Sequence, residues 1–231
     1  MFKGKEAILL DMNSTFMFGE DRFREAEDYS EYYRSIGGGL PNDIVNRIIN
    51  RAYDYLAVKY PSEDYRHSFP SLQTAIEESS EMSIPSMEKG KIIQTFAYHE
   101  HGYIPQSYVQ ALIALKKRFK LALVIDIWAP KQMWVDTFER LGIWSLFSAY
   151  SFSSDHGMVK PSPKPFEMVV NKLGLPKEKC LVVGDSVRRD LGGSLKASID
   201  CVLVGGEESD LSVGEFRTLL EFQENVSSSI S

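Results

Sequence analysis

The sequence predicts an α/β fold: a parallel β-sheet with helices on both faces, and an all-helical subdomain inserted after the first strand. Three observations support it: short apolar runs without polar alternation, helical spacing between the later runs, and only helical patterns in the long segment between the first two. Strands covered on both faces have continuous apolar sequences, and strands that alternate with helices form parallel sheets through crossover connections. With 231 residues, the chain is long enough for one such core and an insert.

Apolar runs are predicted to be the strands of this Rossmann-like sheet. They lie at residues 7–11, 121–126, 180–184 and 201–204. A further short strand is expected near residues 149–152. The segments between the last three runs have helical spacing at 131–141, 163–173 and 187–197. Prolines open the second of these helices, where a missing backbone N–H costs nothing.

The segment between the first two strands is predicted to be helical throughout. Helices are expected at residues 21–36, 43–60, 71–81, 86–99 and 106–119. Glycine and proline at 37–41, 61 and 85 separate them. We therefore expect residues 1–18 and 103–231 to form the core and residues 19–102 to form the helical subdomain. The serine-rich end at 226–231 is expected to be frayed.

Composition and charge exclude several classes of protein. The 26 Lys and Arg residues against 32 Asp and Glu give a net charge of −6, which disfavours nucleic acid and anionic membranes as partners. The two cysteines, Cys180 and Cys201, lie in or beside apolar runs and are expected to be core residues in a reducing, cytoplasmic protein. The apolar run at 7–10 is too short for a signal peptide or a membrane span. The oligomeric state stays open.

Three charged residues lie where a parallel sheet places its ligands. Asp11 ends the first strand, Asp185 follows the strand at 180–184, and Lys160 lies in a proline-rich loop before a helix. Each residue alone would be interpreted as a turn former, a helix cap or a surface charge. Together, at the carboxyl edge of one sheet, two carboxylates and an ammonium suit a divalent cation and a phosphate.

The same residues resemble the sequence motifs of the haloacid dehalogenase-like superfamily. Residues 11–15 read Asp-Met-Asn-Ser-Thr and are similar to its first motif, a nucleophilic aspartate followed at two-residue intervals by a second aspartate and a threonine. Residues 160–163 resemble the third motif and residues 184–190 the fourth. The resemblance covers essentially the whole chain, and the helical insertion resembles the cap that lies over the active site in many members.

The resemblance implies a role for each site residue. Asp11 would attack phosphorus to form an aspartyl-phosphate, and Lys160 and Thr15 would bind the phosphate. Mg²⁺ would be held by Asp11, Asp185 and the backbone carbonyl of Asn13. Two further residues, Ser186 and Asp190, would support these ligands without touching metal or phosphate.

Two positions depart from the family pattern. Asn13 replaces the second aspartate, and an amide cannot perform the proton transfer that commonly contributes about 10²- to 10⁴-fold to the rate. Ile125 or Asp126 stands where a Ser or Thr would donate a hydrogen bond to the phosphoryl group, a loss of roughly 3 kcal/mol. Asp126 would repel a phosphate unless it is paired with a cation, so we expect it to point aside or to hold the following loop.

The leading hypothesis is a Mg²⁺-dependent phosphatase of a small phosphorylated metabolite, with weakened acid–base function. The alternative is a slowed or inactive member that binds a phosphorylated ligand or partner. A 2-haloacid dehalogenase is less favoured, because Asp185 is a metal ligand that those enzymes do without and Asn13 replaces their usual aromatic residue. The sequence identifies neither the substrate nor whether Asn13 is the natural residue, and it leaves open whether these departures abolish turnover.

Overall fold

A six-stranded parallel sheet forms the centre of the protein. The computed structural model describes residues 2–24 and 26–228. The strands are β1 (Ala7–Leu10), β2 (Lys120–Ile125), β3 (Phe147–Phe152), β4 (Cys180–Gly184), β5 (Asp200–Val204) and β6 (Gly214–Phe216). Their order in the sheet is β3-β2-β1-β4-β5-β6, and every neighbouring pair is parallel. The chain thus winds outward in both directions from β1, which confirms the predicted Rossmann-like α/β fold.

Helices connect the strands and cover both faces of the sheet. The helices are α1 (Ser30–Ser35), α2 (Asn42–Lys59), α3 (Leu72–Ser79), α4 (Ser86–Glu100), α5 (Gln106–Lys116), α6 (Gln132–Arg140), α7 (Ser153–His156), α8 (Lys164–Leu173), α9 (Gly192–Lys196) and α10 (Leu219–Ser228). Apolar residues of α5, α6 and α10 pack on one face, and those of α8, with Ala197 just after α9, pack on the other. Cys180 and Cys201 are free and buried in the second of these layers, as expected.

Helices α1 to α4 lie between β1 and α5 in the sequence and share the larger core. Apolar side chains such as Ile49, Leu56 and Phe96 belong to the same buried cluster as the sheet residues beneath α5 and α6. Full burial of such a side chain stabilises the fold by about 1.5–3 kcal/mol. The chain leaves and re-enters the sheet region at Phe18 and Tyr103, whose backbone groups exchange hydrogen bonds of 2.9 and 2.8 Å. The division into residues 1–18, 103–231 and 19–102 stays a prediction.

The connection between α2 and α3 packs against the loop that carries Lys160. The backbone N–H of Phe69 donates to the carbonyl of Gly157 at 2.7 Å, and the N–H of Val159 donates to the carbonyl of Arg66 at 3.0 Å. These backbone bonds join the α2–α3 connection to a loop at the edge of the sheet.

The predicted helix at 21–36 is wrong in its first part, because α1 is the only helix in the described residues 21–24 and 26–36. Asp21 has a left-handed backbone with φ of 54°. Its N–H donates to the carbonyl of Glu100 at 3.3 Å, and the N–H of Arg22 donates to the carbonyl of His99 at 2.8 Å. The backbone groups of this segment are therefore satisfied by the end of α4, an arrangement that sequence periodicity does not reveal.

Smaller corrections concern the later elements. The predicted helix at 187–197 is a π-helical turn, Val187–Leu191, followed by α9. Strand β6 and helix α10 were not predicted, because β6 is only three residues long and lacks an apolar run. Residues 226–228 belong to α10, so this part of the tail is not frayed, and residues 229–231 lie outside the described part of the chain. Across that described part, no helix combines the length and apolarity needed to cross a membrane.

Candidate active site

The carboxyl ends of β1 and β4 bring Asp11 and Asp185 together. Leu10 pairs with Val183 in the parallel register, and the N–H of Asp11 donates to the carbonyl of Val183 at 2.9 Å. One carboxylate oxygen from each of Asp11, Asp185 and Asp190 lies within 4.8 Å of the others. The expected meeting of distant residues at this edge of the sheet is therefore observed.

A tight turn after β1 fixes the Asp11 carboxylate. The carbonyl of Met12 accepts backbone hydrogen bonds from Thr15, Phe16 and Met17 at 2.9–3.1 Å. The Thr15 hydroxyl is buried and donates to Oδ2 of Asp11 at 3.3 Å. The turn thus orients the carboxylate through Thr15, whose predicted contact with a phosphate stays a prediction.

Lys160 is a buried cation held between two carboxylates. Its Nζ donates to Oδ1 of Asp11 at 2.5 Å and to Oδ1 of Asp190 at 2.7 Å, and the residue is only 3% exposed. The adjacent carboxylates raise the pKa of Lys160 despite its burial, so its ammonium stays charged. Burial raises the pKa of Asp11 to about 7, although Lys160 opposes this shift. A charged ammonium is what a phosphoryl group needs beside the attacking oxygen.

Asp126 holds the loop that carries Lys160. Its Oδ2 accepts the backbone N–H of Lys160 at 2.9 Å and the hydroxyl of Tyr60 at 2.7 Å. The loop directly after β2, which Asp126 was expected to hold, is bound instead by Glu100, whose carboxylate accepts the N–H groups of Trp128 and Ala129 at 2.6 and 2.8 Å. Asp126 also lines the cavity in front of Asp11, so it does not point aside.

Ile125 supplies no hydroxyl to the site. Its side chain is buried in the main hydrophobic cluster. Ile125 therefore provides no hydroxyl group for a phosphate at the position where the family pattern has a Ser or a Thr.

The turn after β4 places Asp190 and Ser186 behind Asp185. The N–H of Ser186 donates to Oδ2 of Asp190 at 3.1 Å, and Oγ of Ser186 accepts the N–H of Arg189 at 3.3 Å. A Cβ on Gly184 would lie 2.3 Å from Cγ of Asp190, so only glycine lets this carboxylate come so close. The buried Asp190 is thereby positioned to receive the ammonium of Lys160.

The oxygen atoms at this edge fit a hard divalent cation. Oδ1 of Asp185 is buried and has no hydrogen-bond partner among the described residues, and the nearest guanidinium nitrogen of Arg189 is 3.8 Å away. Burial raises the pKa of Asp185 to about 6. Oδ1 of Asn13 is likewise buried, with no partner in residues 2–24 and 26–228. Carboxylate and carbonyl oxygens are the ligands that Mg²⁺ prefers, so Asp11, Asp185 and Asn13 could hold this ion.

A cavity of about 320 Å³ opens in front of Asp11. Several of its lining residues were not predicted from the sequence: Glu20, Asp21, Tyr53, Tyr60, Glu100, Trp128 and Arg189. One signal was available in the sequence, because Tyr53 and Tyr60 are seven residues apart and so share a face of α2 and the residue that ends it. Loops and one helix end carry Glu20, Asp21, Glu100 and Trp128, which no periodicity marks, and Arg189 lies in the π-helical turn.

Two relatives in sequence are named as phosphatases. The chain is 27% identical over 204 residues to a glyceraldehyde 3-phosphate phosphatase from Methanopyrus kandleri, covering 86% of this chain and 83% of that protein. It is 27% identical over 122 residues to pyrophosphatase PpaX from Halalkalibacterium halodurans, covering 50% of this chain and 55% of that protein.

Solved structures share the fold at low sequence identity. A HAD phosphatase from Thermococcus onnurineus has a TM-score of 0.64 and 19% identity, with 96% of this chain and 97% of that chain covered. A 2-haloacid dehalogenase from Pseudomonas syringae has a TM-score of 0.63 and 18% identity, with 97% and 99% covered. A phosphatase and a dehalogenase are thus about equally similar in fold to this chain, so the structural similarity supports the fold and does not indicate the reaction.

A family model identifies the protein family, which similarity in fold alone does not. The model described as haloacid dehalogenase-like hydrolase matches residues 5–197, a span that contains Asp11, Lys160 and Asp185. Because this span is most of the chain, the protein belongs to the haloacid dehalogenase-like hydrolases.

Proposed function

We propose that the protein is a Mg²⁺-dependent phosphatase that acts on a small phosphorylated metabolite through an aspartyl-phosphate. The observation that carries this proposal is the buried ammonium of Lys160, held at 2.5 Å from Asp11 beside the unpartnered oxygen of Asp185. The names of the relatives support the phosphatase assignment, since both act on phosphate compounds.

The reaction would proceed in two displacements at phosphorus. A carboxylate oxygen of Asp11 forms a bond to phosphorus, and the bond between phosphorus and the ester oxygen breaks, which releases an alkoxide that takes a proton from solvent. Water then attacks the phosphorus of the aspartyl-phosphate and gives its proton to solvent, and cleavage of the bond between phosphorus and the Asp11 oxygen frees the carboxylate and inorganic phosphate. Lys160 neutralises negative charge on the phosphoryl oxygens in both steps, and Thr15 keeps the carboxylate oriented. A bound Mg²⁺, held by Asp11, Asp185 and the carbonyl of Asn13, would add a second positive charge beside the phosphoryl oxygens.

Asn13 limits the proton transfers in both steps. An amide neither protonates the leaving alkoxide nor deprotonates the water, so esters with poor leaving groups would be hydrolysed about 10²- to 10⁴-fold more slowly than with an aspartate there. Acyl phosphates, whose leaving groups need little protonation, would be affected least. The alternative is a slowed or inactive member that binds a phosphorylated ligand or partner. Dehalogenation is less favoured, since Asp185 places a free carboxylate oxygen beside Asp11.

The helical segment 19–102 would act as the cap over this site. Tyr53 and Tyr60 line the cavity from α2 and its end, and Glu100 lines it from the end of α4. These contacts support a role for the segment in selecting the substrate. The free, buried cysteines support a reducing, cytoplasmic location.

A screen of phosphate esters with purified protein and Mg²⁺ tests the proposal. We expect turnover that is lost in Asp11→Ala and in the presence of EDTA. Acetyl phosphate and p-nitrophenyl phosphate should be hydrolysed faster than alkyl phosphates, because their leaving groups need less protonation. Turnover no higher than that of Asp11→Ala on every ester would refute the catalytic claim.

A further inference from the structure

The cavity in front of Asp11 contains more carboxylates than a phosphate ester requires. Five carboxylates line it: Asp11, Glu20, Asp21, Glu100 and Asp126. The only cations in the described part of its lining are Lys160 and Arg189. Asp11 is neutralised by Lys160, Asp126 binds a backbone N–H and a tyrosine hydroxyl, and Glu100 binds two backbone N–H groups, so these three are employed within the protein. The remaining two, Glu20 and Asp21, would repel an anionic substrate unless its other end were positively charged.

One oxygen of the Glu20 carboxylate has no partner among the residues that the structure describes. Its Oε1 accepts a hydrogen bond from the Ser14 hydroxyl at 3.2 Å, whereas its Oε2 is buried and has no hydrogen-bond partner in the described parts of the chain. A buried carboxylate oxygen without a donor is costly in the free protein, and a ligand that brings a donor removes this cost. Because Glu20 lines the cavity, its carboxylate is the place where we expect a donor group of the ligand.

Aromatic rings complete the lining and point to an organic cation rather than a metal ion. Trp128 lies beside Tyr53 and Tyr60, with ring centroids 5.4 and 5.7 Å apart. All three residues line the same cavity as Glu20. Aromatic faces together with carboxylates bind ammonium groups, whereas a divalent metal ion needs oxygen ligands on every side.

We propose that the substrate carries an ammonium group as well as a phosphate, as an aminoalkyl phosphate or an amino-sugar phosphate does, and that Glu20 and the three aromatic rings bind it. The inference rests on the proposed function, since it names the substrate class of the same site. In this arrangement the phosphate lies at Lys160 and the ammonium lies at Glu20, with Asp21 adding negative charge nearby. The cavity of about 320 Å³ suits a small metabolite.

Matched substrate pairs test this inference. Phosphoethanolamine is compared with ethylene glycol monophosphate, and glucosamine 6-phosphate with glucose 6-phosphate, so that the members of each pair differ by an ammonium in place of a hydroxyl. We expect kcat/KM of at least one ammonium compound to exceed that of its neutral partner about tenfold or more, the size of one hydrogen bond to a charged group. Glu20→Gln should reduce this ratio, whereas Glu78→Gln, an exposed change on α3, should leave it as in the wild type.

Each remaining outcome decides the question. If both members of each pair are turned over at equal rates, the inference about the ammonium group is wrong, while the proposed phosphatase function still holds. If no ester is hydrolysed, the proposed function fails, and calorimetric binding of the same pairs to Asp11→Ala then decides whether the ammonium is preferred. Glu20→Gln could instead raise the Mg²⁺ concentration needed for activity without changing the ratio, and that would also overturn the inference. If Glu20→Gln does not fold, the wild-type ratio alone decides.

Discussion

Replacing Lys160 by methionine should destabilise the protein far more than loss of an ordinary lysine. Methionine keeps much of the length and volume of the side chain but removes the charge. Lys160 is 3% exposed and bonds to Asp11 and Asp190 at 2.5 and 2.7 Å, so its removal leaves two buried carboxylates without a cation. Breaking one buried ion pair in this way costs about 3–5 kcal/mol, whereas an exposed pair contributes at most about 1 kcal/mol. We therefore expect the free energy of unfolding to fall by about 3–5 kcal/mol.

Urea unfolding at pH 8 in EDTA, followed by circular dichroism, measures this loss. Lys164→Met is the matched control, since Lys164 is exposed at the start of α8, and it should change the stability by less than about 0.5 kcal/mol. Adding Asp190→Asn to Lys160→Met should recover part of the loss, because one uncompensated carboxylate is removed. A loss below about 1 kcal/mol for Lys160→Met would show that the ion pairs behave as exposed ones, and would refute the reasoning.

Four further predictions concern the same site. Asn13→Asp should raise kcat on alkyl phosphates about 10²- to 10⁴-fold and on acetyl phosphate much less, and an equal gain on both would contradict the assigned proton transfer. EDTA should abolish activity and Mg²⁺ should restore it, with Asp185→Ala needing at least about tenfold more Mg²⁺; activity unchanged in EDTA would exclude the metal. Burial raises the pKa of Glu100 from 4.5 to about 8. Its carboxyl therefore binds a proton more tightly in the folded than in the unfolded protein. The free energy of unfolding of the wild type should accordingly fall as the pH rises from 4.5 to about 8. Glu100→Gln should show a smaller fall in urea titrations, because only the other carboxyls with raised pKa values, such as Asp11 and Asp185, still contribute. Parallel pH profiles of the two proteins would contradict the shift. Gly184→Ala should lower the free energy of unfolding by about 1–3 kcal/mol, and with it the melting temperature, because the new Cβ would lie 2.3 Å from Cγ of Asp190. An unchanged melting temperature would show that the Asp190 carboxylate moves freely.

The sheet and its charged edge could be predicted because both follow from local sequence. Strands buried on both faces have apolar runs, and a residue that ends such a run must lie at the edge of the sheet. Asp11 and Asp185 were therefore placed correctly, and the proline-rich loop brought Lys160 to the same edge.

The far side of the cavity could not be predicted, because tertiary contacts alone position it. Glu20 and Asp21 lie in a segment whose backbone bonds to the end of α4 rather than forming the expected helix. Glu100 reaches the cavity because its carboxylate accepts two N–H groups of a loop that is distant in sequence. For Asp126, the sequence indicated a loop-holding role but gave no sign that its partners would be Lys160 and Tyr60.

The bonds between the α2–α3 connection and the Lys160 loop tie the segment that contains helices α1 to α4 to the edge of the sheet. Phe69 and Arg66 are joined to Gly157 and Val159 through the backbone, so no side-chain substitution removes these links directly. If helices α1 to α4 swung away as one body, two such bonds, each worth about 1 kcal/mol, would have to break or the loop would have to follow. Opening of these helices as one body would therefore either cost both bonds or move the loop that carries Lys160.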